Sequence, residues 1–181
     1  MARVSEKMPG FFIGLRLYRM RFANSADKLI FVNTPFREDY KITMLMKTTN
    51  YFDTFIEVAA DCPASKAEIP PVKENARTVA NIHFDMVAHA PYTYTSDDVV
   101  FGTYAAKNEV ADRDRTEARE QFFSKGQPCL RTSPLAKRYG WGIHSNAAGK
   151  VAIYPLESKE YKQFAADEKL EHVRAMRSKK A

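Results

Sequence analysis

The sequence predicts an α+β fold: a single domain with an antiparallel sheet of about four strands and helices packed on one face. Three observations carry this prediction. Alternating apolar and polar residues mark strands at 52–59, in a hairpin over 141–154, and at 170–176. Between the first strand and the hairpin, apolar residues recur at helical spacing behind residues suited to capping a helix. At 181 residues, 45% of them hydrophobic, the chain is long enough to bury one core without a disulfide or a structural metal.

The first 45 residues read as an N-terminal extension. "MPGFFIGLRLYRMRF" is apolar but broken by Arg16, Arg19 and Arg21, and no small-residue cleavage site follows it, so it makes a poor secretory signal. "KLIFVN" at 28–33 suits a strand. Met44 and Met46 stand just before the first clear alternation, and Met46, or Met44, is the expected native start of a domain spanning 46–181.

The domain then unfolds in order. After the strand at 52–59, the Pro-rich and polar "DCPASKAEIPPVKENAR" is a loop. Thr78 caps a helix carrying Val79, Ile82, Met86 and Val87, which Pro91 ends. Thr95 or Ser96 caps a second helix over 97–107, and Asp112 a third that reaches about Ser124 and stops at Gly126. Ser133 with Pro134 starts a short helix that Gly140 ends. Residues 141–144 and 150–154 form a hairpin around "SNAAG", with His144 expected opposite Lys150. That register puts Trp141, Ile143, Val151 and Ile153 on one face. Gly142 and Ala152 on the other form a small-residue strip open to a close neighbour or ligand. Ser158 caps a helix to about Ala166, and 170–176 is a charged edge strand before a basic tail.

Charge excludes less than the total suggests. The net charge is +6, yet residues 46–168 hold fifteen Lys and Arg against seventeen Asp and Glu. The basic excess sits at the two ends of the chain, which argues against an extended nucleic-acid footprint. Cys62 and Cys129 stand alone, fitting a reducing cytoplasm, and no apolar run is long enough to span a membrane as a helix.

The densest stretch is "KGQPCLRTSPLAKRYGWGIHSN". Once Gly126, Ser133, Pro134 and Gly140 are assigned to turns and caps, Arg131, Lys137, Arg138 and His144 remain as four polar side chains that folding does not demand. The amides opening "SPLAKRY", with Ser133 and the neighbouring cations, can hold a phosphate or carboxylate. The expected function is therefore binding of a small anionic ligand or a protein partner in this region, with no cofactor.

Two alternatives use the same residues. In an enzyme, His144 serves as general base, kept neutral by Lys150 opposite, with Cys129 or Asp98 assisting. The cations around Cys129 would lower its thiol pKa. In a weak nucleic-acid binder, Arg131, Lys137, Arg138 and the C-terminal tail meet phosphates. Asp97 and Asp98 are better explained as first-turn acids on a helix, and Asp85 with His89 is a two-ligand pair lacking a third, so no metal is expected.

The strings "TTNYFDTFIEVAADCP", "PYTYTSDDVVF", "QFFSKGQPCLRTSPLAKRYGWGIHSN" and "AMRSKK", in that order, resemble a family of small microbial proteins of unknown function, over residues 46–181. The resemblance implies a compact intracellular domain and brings no activity, cofactor or catalytic residue with it.

Overall fold

The computed structural model describes residues 18–19, 29–30, 47–72 and 77–178. The chain divides into two units, Met1–Met44 and Leu45–Ala181. In the first, β1 (Tyr18–Arg19) pairs antiparallel with β2 (Leu29–Ile30). The strand expected over 28–33 thus forms at its centre, and the rest of that stretch lies outside the described residues.

In the second unit the sheet has four strands in the order β5 (Val151–Pro155), β4 (Trp141–Ser145), β3 (Thr54–Glu57), β6 (Glu171–Arg174). The helices are α1 (Val79–Ala88), α2 (Ser96–Lys107), α3 (Arg115–Phe123), α4 (Pro134–Arg138) and α5 (Lys159–Ala166). The domain is α+β, as expected, but the sheet is mixed. β3 pairs antiparallel with β4 and parallel with β6. The cause is α5: β5 already runs parallel to β3, and the helix carries the chain across the sheet to the far edge, a crossover that leaves β6 parallel as well.

The same crossover corrects the expectation of helices on one face. Ile56, Ile143 and Val151 pack with Val87 of α1, Val99 of α2 and Ala136 of α4 in one buried cluster. On the opposite face, α5 lays Tyr161 and Phe164 on Phe55, at 5.0 and 5.7 Å between ring centroids. The Gly142 strip is what admits α5. A Cβ at Gly142 would lie 2.5 Å from the Tyr161 ring and 2.7 Å from that of Phe55. The close neighbour that this strip accepts is a helix of the chain itself.

The hairpin register also differs from expectation. His144 pairs with Ala152 rather than Lys150, and Ile143 with Ile153. Asn146 explains the shift of two: its side-chain oxygen accepts from the amides of Ala148 and Lys150, while Gly149 turns at φ 72°. This closes the loop before pairing starts at Ser145 and Val151. An even shift preserves which residues share a face, so the apolar face forms as expected.

Capping places most helix starts. Thr78, Thr95, Ser133 and Ser158 each accept a backbone N–H of the first turn. Asp112 does not cap α3; it opens a single 3₁₀ turn, Asp112–Asp114, from which α3 continues. α2 is buried on two sides. Val99 faces the sheet, while Phe101 and Ala105 join Phe123 of α3 in a second buried cluster, about 200° around the helix from Val99.

Candidate functional site

Of the residues expected to form one anion site, Ser133, Lys137 and Arg138 share α4 and its cap, while His144 lies on the other face of the sheet. Ser133 is 1% exposed; its Oγ lies 2.9 Å from His83 Nδ1 and accepts the Leu135 amide. Burial lowers the His83 pKa to about 4, so this imidazole is neutral at physiological pH. Arg131 turns the other way and fastens β6: its Nε donates to the Arg174 carbonyl at 2.9 Å, and its own carbonyl accepts the Met176 amide. Lys137 and Arg138 lie in the last turn of α4, half-buried and exposed.

His144 is on the α5 face of the sheet, away from α4. Its ring stacks on Phe164 at 4.2 Å and 18°, and Nδ1 lies 2.8 Å from the Tyr92 hydroxyl. That hydroxyl is in turn 2.8 Å from the Tyr154 hydroxyl. Burial holds the His144 pKa below the ordinary imidazole value, against the opposing pull of Asp53 and Asp167. The shift has the direction expected from the sequence, but desolvation rather than Lys150 is its cause. Tyr92, whose phenol burial raises, was missed. It sits at φ 56°, a conformation that a non-glycine residue adopts only when its surroundings impose it.

Neither expected helper meets His144. Asp98 accepts from the Thr95 amide and hydroxyl at 2.9 and 2.8 Å and from Arg119 at 2.9 Å. Burial opposes its ionisation, yet these donors outweigh burial and keep its pKa below the ordinary value. Its neighbour Asp97 accepts from the Thr49 amide and hydroxyl, the Thr48 hydroxyl and the Asn50 side chain. Both carboxylates therefore fasten the start of α2. Cys129 Sγ lies 3.3 Å from the Tyr51 hydroxyl, and burial together with that thiol pushes the phenol well above its ordinary range. Asp85 pairs with Arg77, and His89 bonds the Asp85 carbonyl. Among the described residues no group of three His, Cys, Asp or Glu side chains is placed to hold a metal.

The cleft lies elsewhere. Between α1, α2 and α3 opens a space of about 330 Å³, lined by Met86, Tyr94, Asp98, Phe101, Gly102, Arg115, Thr116 and Arg119. The two arginines are four residues apart on α3 and so project from the same side of it. Both stack over Phe101, Arg115 at 5.9 Å and Arg119 at 5.4 Å, and Arg119 also lies 5.3 Å from the Phe123 centroid. Both guanidinium groups thus lie within cation–π range of the ring, and a guanidinium so placed can still donate from its N–H edge. Arg119 contributes one short contact to Asp98; among the described residues Arg115 has Asp112, at 3.6 Å and 97% exposed, as its ionic partner. The signals for this cleft were present in the sequence as the Arg115/Arg119 spacing and as a glycine in mid-helix at 102, which helix propensity disfavours.

Among the described residues no helix is long and apolar enough to cross a membrane. No curated protein and no solved structure matches the chain. A family model does, over residues 46–181, the span of the sheet, the helices and the cleft. The chain belongs to that family, a family of unknown function designated DUF6157.

Proposed function

We propose that this domain is a binding module for a small organic anion, and that the anion is held in the α1–α2–α3 cleft by Arg115 and Arg119. One observation carries the reading: two guanidiniums within reach of one phenylalanine ring in a concave site, with Arg115 paired, among the described residues, to a fully exposed aspartate. Surface ion pairs of that kind contribute little, so an incoming carboxylate or phosphate displaces Asp112 at small cost and gains charge-assisted hydrogen bonds from a preformed fork. By contrast, the stretch over 131–138 offers Ser133 already sealed by His83 and Arg131 already bonded to backbone.

The test is a thermal-shift series with acetate, benzoate, inorganic phosphate and a nucleoside monophosphate. A ligand at a hundred times its Kd adds about 2.7 kcal/mol, which raises the melting temperature by several degrees. The shift should vanish in an Arg115→Ala/Arg119→Lys protein, where the lysine keeps the charge beside Asp98 but not the fork. It should persist in Lys137→Ala/Arg138→Ala. The reverse pattern would place the anion on α4 and remove the cleft from the account.

A further inference from the structure

The cleft has two chemically different walls. α3 supplies one, with Arg115, Thr116 and Arg119; α2 and α1 supply the other, where Met86, Phe101 and Gly102 stand beside the Asp98 carboxylate that pairs with Arg119. Gly102 is the unusual member. It lies inside α2, where glycine is about 1 kcal/mol worse than alanine, so its presence needs a packing reason. The reason is Met86. A Cβ at position 102 would lie 2.9 Å from both Sδ and Cε of Met86, so the missing side chain is what lets the thioether lie flat across α2 and form the apolar wall.

Resting on the anion reading above, we propose that the natural ligand class is an acid carried on a flat apolar body, an aromatic carboxylate or one of similar shape, and that Gly102 with Met86 sets this preference. A compact ion such as acetate or phosphate meets only the arginine wall and leaves the thioether wall wet. An aromatic acid meets both walls. Its carboxylate takes the N–H edges of Arg115 and Arg119, while its ring displaces water from Met86 and Gly102. A space of about 330 Å³ is at the small end of ligand pockets and has room for a one- or two-ring acid. Methionine suits such a wall because its polarisable sulfur packs favourably against aromatic rings.

The experiment compares affinities for acetate, inorganic phosphate, benzoate and 1-naphthoate by calorimetric titration of the full chain. The expected order has naphthoate and benzoate at least about tenfold tighter than acetate, a difference of roughly 1.4 kcal/mol. Gly102→Ala pushes the end of Met86 off its wall and should weaken naphthoate several-fold while leaving phosphate unchanged. Unchanged phosphate binding shows that the Gly102→Ala protein is folded, and Met86→Ala, which removes the thioether wall outright, should likewise weaken naphthoate while sparing phosphate. Equal affinity for acetate and naphthoate overturns the proposal, as does a Gly102→Ala protein that binds naphthoate as the parent does. If anions bind without that preference and depend on Arg115, the anion reading stands without this extension. If no anion binds, both are removed.

Discussion

At the scale of single residues, His83 is the most informative titratable group. It is 6% exposed, its ordinary pKa of 6.5 falls to about 4 on folding, and its Nδ1 is engaged by Ser133. Above pH 6.5 the imidazole is neutral in both folded and unfolded states, and stability does not depend on it. Between pH 6.5 and 4 the unfolded chain binds a proton that the native state excludes, so stability falls as pH falls, by up to about 1.4 kcal/mol per unit, and levels off below the folded pKa. His144 acts in the same direction, since its folded pKa is also depressed. Urea denaturation at pH 7.5 and pH 4.5 should therefore show a loss of about 2 kcal/mol or more from His83. In His83→Asn, where an amide stands in for the imidazole, the dependence should be smaller; an unchanged slope would show that His83 is not the group responsible.

Among secondary-structure elements, the contact between α5 and the sheet depends most on one position. Tyr161 packs edge-on to Phe55 and its hydroxyl accepts the Val58 amide, all above the bare backbone of Gly142. Gly142→Ala forces a methyl into a space already filled by two rings, a case of overpacking that costs about 1–3 kcal/mol. A lowered urea midpoint with an unchanged m-value is the expected result. A neutral substitution would mean that α5 sits less closely than described. Much at this scale was legible in the sequence. The four side-chain caps follow from a hydroxyl before an apolar run, and the hairpin from its alternation around "SNAAG". What was not legible is relational. The alternation at 170–176 reads the same whether β6 lies parallel or antiparallel to β3, and the small residues at 142 and 152 say that something approaches, not that α5 does. The register shift came from an Asn146 side chain that bonds two amides of its own loop, a local contact that strand alternation does not encode.

For the whole molecule, the boundary between the two units falls between Met44 and Leu45, and the family match begins at residue 46. The first residues of the second unit are integral to it. Lys47 donates its amide to the Phe123 carbonyl, and Thr48, Thr49 and Asn50 hold Asp97 at the start of α2. A chain beginning at Met46 is expected to unfold in one transition at the urea midpoint of the full chain; a broadened or shifted transition would assign residues 1–45 a part in the fold. The candidate site was less legible than the fold. Sequence reasoning followed local density of polar residues along 125–146, but folding spends Ser133 and Arg131 on packing and backbone, and assembles the cleft from α1, α2 and α3, with Met86 and Arg119 thirty-three positions apart. Proximity of that kind leaves no mark in a single chain beyond an odd glycine and a pair of arginines.

The anion site is put to its sharpest test by calorimetric titration of benzoate into the parent protein and into Arg115→Ala. The account predicts saturable one-to-one binding in the parent and affinity at least about tenfold lower in Arg115→Ala, as expected when a charge-assisted hydrogen bond worth about 1.5–3 kcal/mol is removed. Equal binding by the two proteins, or none by the parent, would contradict it.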